Sequence, residues 1–126
     1  IAGAAHPLTN IHSFNYSITY GGPLAISDLF LGSSDYLNFI SGICIKQLTD
    51  YAQKEGYTNI NDMITSGASP DLKNFNTWNI KDDNLVITFN PYQVAPYVFG
   101  IQTVSIPLSE MTSMINPKGP LEFMFR

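Results

Sequence analysis

The stretch Phe75-Asn76-Thr77-Trp78-Asn79-Ile80, Lys81-Asp82-Asp83-Asn84, Leu85-Val86-Ile87-Thr88-Phe89 reads as two strands joined by a tight turn. β-branched and aromatic residues fill both flanks, and residues that accept turn geometry sit at the tip. Next comes a connection, Asn90-Pro91-Tyr92-Gln93-Val94-Ala95-Pro96-Tyr97-Val98-Phe99-Gly100, whose two prolines restrict the backbone. A further strand follows over Ile101-Gln102-Thr103-Val104-Ser105-Ile106, and Pro107 ends it. Strands that succeed one another through short connections favour antiparallel pairing.

Upstream, Leu37, Ile40, Cys44, Leu48 and Tyr51 recur at helical spacing between Tyr36 and Glu55, and Ile43 and Ala52 widen the stripe. Gly32-Ser33-Ser34-Asp35 offers capping side chains before this helix, and Gly56 suits its C-terminal cap. A short second helix is expected over Asn59 to Ser66, broken by Gly67-Ala68-Ser69-Pro70. Phe14, Tyr16, Ile18 and Tyr20 alternate with polar residues as in a half-buried strand, which Gly21-Gly22-Pro23 turns. Leu24 to Phe30 bridges to the helix, with Asp28, like Asp35, as a capping carboxylate. Downstream, Leu108 to Ile115 reads as a short helix with Ser109 as a cap, and Leu121 to Phe125 as a last strand. The order predicts an α+β fold: an antiparallel sheet with one long helix and one or two short helices packed on one face. Trp78 heads a strand whose apolar face needs that cover, so it is expected in the core.

At 126 residues the chain is expected to be a single domain, 1–126, and its opening Ile1-Ala2-Gly3-Ala4-Ala5, without Met, reads as a fragment of a larger protein or a processed piece. Charged residues make up only 13%, about half the usual share, and the Lys and Arg residues are scattered in a chain of net charge −4. Phosphate binding needs clustered cations, so nucleic acid is excluded as a partner, and so is an anionic membrane surface. No apolar run approaches the roughly 20 residues of a membrane-spanning helix.

Chemistry is equally hard to place. His6 and His12 are the only histidines and Cys44 the only cysteine, so neither a zinc site nor a disulfide is expected. Asp82-Asp83 reads as a solvated turn, and no nucleophile elbow is present. No catalytic residue and no cofactor is expected. What remains is the aromatic connection. Tyr92 and Tyr97 either plug the end of the core or form an exposed surface for a sugar polymer or a protein. A divided outcome is expected, with Tyr92 buried beside Phe89 and Tyr97 nearer the surface.

Trp78-Asn79-Ile80, the hairpin, the Asn90 to Tyr97 segment, Gly100 and the strand ending at Ile106-Pro107 together resemble a bacterial domain of unknown function, the 3298 family. Ala2-Gly3-Ala4-Ala5-His6-Pro7 is similar to that family's Gly-Gly-Ala-His-Pro element, with Ala2-Gly3-Ala4 in place of the double glycine. The family's domain occurs C-terminally in a lysozyme-sensing anti-sigma factor and beside the catalytic domain of a peptidoglycan deacetylase. The resemblance implies an extracytoplasmic binding or sensing module, in periplasm or at the cell surface, whose ligand is a lysozyme-like protein or peptidoglycan. It implies, as an alternative, an accessory domain of a cell-wall-modifying enzyme such as a polysaccharide deacetylase. A preceding companion domain is also implied, which makes this chain the C-terminal part of a larger envelope protein. Tyr92, Gln93, Tyr97, Phe99 and His6 are the expected contact residues.

Overall fold

The computed structural model describes residues 15–17, 22–57, 59–96 and 100–125. Its main sheet is a three-stranded antiparallel meander of β3 (Trp78–Lys81), β4 (Asn84–Phe89) and β5 (Gln102–Pro107), with β4 in the middle. A separate antiparallel pair joins β1 (Asn15–Ser17) to β2 (Gly22–Leu24), so Gly22 and Pro23 lie in a strand where a turn is expected, and Gly21 lies outside the described residues. The helices are α1 (Tyr36–Lys54) and α2 (Asn61–Gly67). The α+β class is therefore the observed one.

Register aligns the buried side chains in rows. Trp78 pairs with Ile87 and Ile87 with Val104; Ile80 pairs with Leu85 and Leu85 with Ile106. Alternation places these residues on one face, and all but the half-buried Ile80 are buried. Ile40, Cys44, Leu48 and Ala52 of α1 belong to the same core, and Trp78 is buried as expected. The inward stripe of α1 departs from the periodic reading at Tyr51. Ala52 faces in as expected, whereas Tyr51 is 44% exposed. Ser41 also faces in, because its hydroxyl donates a 2.6 Å hydrogen bond to the Ala68 carbonyl and so satisfies itself inside the core.

The hairpin tip is a two-residue loop with Asp82 at φ 52° and Asp83 at φ 64°. Two consecutive left-handed residues make the type I′ turn that matches strand twist, and the Asn84 side chain braces it by donating to the Asp82 carbonyl at 3.1 Å. Glycine adopts φ > 0 at no steric cost, so Asp83→Gly should raise stability by about 0.5–1 kcal/mol. A urea titration should show this as a higher midpoint at unchanged slope.

Gly56 caps α1 at φ 77° as expected: its N–H donates to Gln53 and the Tyr57 N–H donates to Ala52, the paired bonds of a Schellman end. At the other end Asp35 makes no bond to a helical N–H; its carboxylate accepts instead from the Asn38 side chain at 2.7 Å. Asp28 does fold back, accepting from the Ala25 N–H at 2.9 Å.

Three expected elements are replaced. Leu72–Phe75 is a 3-10 turn, and Asp71, accepting from the Lys73 N–H, starts it; the strand begins only at Trp78. Leu108–Glu110 is a single 3-10 turn, after which Ile115 leaves helical geometry to bridge Phe30. Glu122–Phe125 is another 3-10 turn where a strand was expected. Among the described residues, no helix is long and apolar enough to cross a membrane.

Candidate functional site

The Asn90 connection leaves β4 and immediately turns. Pro91 occupies the second position of a four-residue turn, Tyr92 the third with φ 71°, and the Gln93 N–H donates to the Asn90 carbonyl at 3.0 Å. Proline at the second position and positive φ at the third are the signature of a type II turn, whose third position favours glycine. A tyrosine there is costly. Its left-handed backbone carries the side chain outward, and Tyr92 is 62% exposed. This corrects the expected burial of Tyr92 beside Phe89; Phe89 packs instead edge-on against Phe75, with ring centroids 6.3 Å apart.

The next residue faces the other way. The Gln93 Nε2 donates to the carbonyls of Gly67 and Asn74, each at 2.9 Å, and its Oε1 accepts from the Asn90 N–H at 3.2 Å. Gln93, expected as a contact residue, is thus engaged through its amide in tying the connection to α2 and to the segment before β3. Val94 and Ala95 then enter the core. Tyr97, Phe99 and His6 lie outside the described residues.

Loss of the Gln93 amide leaves its three backbone partners without it, two of them carbonyls on other segments. Gln93→Ala should therefore cost about 2–3 kcal/mol. Thermal unfolding with the Gln93→Glu variant alongside tests this, since a carboxylate has no N–H to donate and should fail nearly as badly.

A second surface was missed by the sequence reading. Tyr51 and Tyr57 meet edge to face with centroids 6.1 Å apart beside the 53%-exposed Ile101. Partial desolvation first, then Tyr51 and Glu55, push the Tyr57 hydroxyl above its ordinary range. Between α1 and β5 runs a groove of about 410 Å³ lined by Gln47, Tyr51, Ile101, Gln102 and Thr103, among others. The signal was present at Ala52: a small residue directly after Tyr51 can take the inward position and turn the ring out.

Catalytic groups are hard to assemble from what is described. Cys44 is fully buried and desolvation pushes its thiol up to about 12, so it stays protonated. No group of three or more metal-ligating side chains occurs among the described residues.

The profile of a family described as a protein of unknown function, DUF3298, matches residues 27–109, which include α1, α2, the meander and the Tyr92 turn. The chain belongs to the DUF3298 family. It is 30% identical over 117 residues to the peptidoglycan-N-acetylmuramic acid deacetylase PdaC of Bacillus subtilis, covering 90% of this chain and 24% of that protein. It is 25% identical over 114 residues to the immunogenic protein MPT64 of Mycobacterium tuberculosis, covering 90% of this chain and 47% of that one. The chain thus spans a quarter to a half of the length of these relatives. A DUF3298 crystal structure from Bacteroides fragilis superposes with TM-score 0.53 at 23% identity, over 75% of this chain and 36% of the other, and shares the fold.

Proposed function

We propose that this DUF3298 domain is a non-catalytic binding module of the bacterial cell envelope, working outside the cytoplasmic membrane, with the Tyr92 turn as its contact surface. The observation that carries this reading is Tyr92 itself. A large aromatic ring stands in solvent on a backbone position where folding favours glycine, and strain of that kind gathers where a ligand is held. Tyrosine presents apolar area with a polar tip and loses little conformational freedom, which suits a sugar ring or a protein epitope. The kinship with a peptidoglycan deacetylase supports a cell-wall glycan as the ligand. The same kinship favours a second reading, in which the domain positions peptidoglycan for catalysis carried out elsewhere in a longer protein.

Tyr92→Gly separates ligand contact from folding. Relief of the positive φ should leave the melting temperature unchanged or raise it, while binding to purified peptidoglycan or to lysozyme should weaken by about 2 kcal/mol, roughly 30-fold. Unchanged affinity for both ligands would rule out the turn as the contact surface.

A further inference from the structure

We propose that the outer edge of β5 takes a short extended segment of a partner polypeptide as an additional strand, a site separate from the Tyr92 turn. Hydrogen-bond alternation through the sheet shows which backbone groups face outward. The Thr88 N–H donates to the Thr77 carbonyl, so even-numbered residues of β4 face β3 and its odd-numbered residues face β5. Leu85, Ile87 and Phe89 lie opposite Ile106, Val104 and Gln102. The even-numbered residues of β5 are therefore bonded to β4; Thr103 and Ser105 turn their N–H and C=O groups outward, and Ile101, just before the strand, turns its C=O to the same side. An independent contact agrees: the Gln47 side chain of α1 reaches the Ser105 carbonyl at 3.2 Å.

Among the described residues no further strand pairs with this edge. β5 reads Gln-Thr-Val-Ser-Ile-Pro, with no charged residue, and only its last position is proline. Directly beside the outward groups of Ile101 and Thr103 lies the groove against Tyr51 and Gln47. A row of alternating backbone donors and acceptors is complementary to an extended peptide backbone, and an uncharged groove takes neutral or aromatic side chains from alternate positions of that peptide.

A second copy of this chain fits less well. Antiparallel self-pairing centred on Thr103 would set each Ser105 opposite the other copy's Ile101, and Gln47 already occupies the Ser105 carbonyl. A short foreign strand can pair at Ile101 and Thr103 and stop where Gln47 begins.

A displayed library of random octapeptides panned against the whole chain supplies the probes. Enriched peptides should bind the Thr103→Pro variant at least tenfold more weakly, because proline removes an N–H that points away from β4 and leaves the ladder intact. Thr103→Ala should bind like the original. N-methylation of alternate peptide nitrogens should abolish binding to the unaltered chain, a control that does not depend on how the variant folds. The proposal is overturned if no peptide enriches, if binding ignores both Thr103→Pro and N-methylation, or if the chain alone self-associates through β5. None of these outcomes bears on Tyr92→Gly, so the two surfaces stand or fall separately.

Discussion

Gly67→Ala should unfold a large part of this domain's stability, about 3–5 kcal/mol, more than a typical single substitution. A Cβ at Gly67 would lie 1.8 Å from the carbonyl oxygen of Gln93 and 2.7 Å from its carbonyl carbon. Both are backbone atoms, so no rotamer change removes the clash. Either the end of α2 or the Asn90 connection must shift, and a shift breaks the bonds from Gln93 to Gly67 and Asn74 together. Alanine is otherwise the better helix former, and at an open helical site such as Gly42, where an added Cβ meets nothing, the same change should stabilise by about 0.5–1 kcal/mol. Paired denaturant titrations of the two variants would therefore move in opposite directions. Equal shifts would mean that α2 and the connection do not touch as described.

Trp78→Ala should cost about 3–5 kcal/mol, of the same order. Trp78 is 3% exposed and heads the buried row that runs through Ile87 to Val104. Truncation leaves a cavity at the end of the sheet that neighbouring strands, fixed by their ladders, cannot close. Tryptophan fluorescence of the intact domain should peak at the short wavelength of a dry indole and move red on unfolding. An emission maximum typical of indole in water would contradict its placement.

The meander and the long helix were legible in the sequence because each is written in local periodicity. Leu85, Ile87 and Phe89 alternate; Ile40, Cys44, Leu48 and Ala52 recur at helical spacing; Gly56 and the Asp82-Asp83 pair mark the ends. What escaped was information carried by contacts distant in sequence. Ile115 is drawn out of a helical pattern by its bridge to Phe30, and nothing between Leu108 and Ile115 announces that. Gly67 ends α2 as its sequence predicts, but the carbonyl 26 residues away that its Cα faces leaves no local mark. At the candidate site the proline-flanked turn was legible, but which neighbour faces out was not. The sign of one φ angle, at Tyr92, sends the ring to solvent and the following glutamine amide inward. Tyr51 failed for a related reason, since a ring and an adjacent alanine compete for one inward position.

The amide of Gln93 joins three stretches of chain at one point, and this decides when the turn loses its freedom. Immobilising a residue's backbone costs about 1–2 kcal/mol. Here that loss falls in the folding step, so the molecule proposed to bind at Tyr92 would find the turn of residues 90–93 already held and would not have to order it. Association at the turn should then run at the speed of a rigid surface, and the Asn90 amide should exchange its hydrogen slowly whether or not anything is bound.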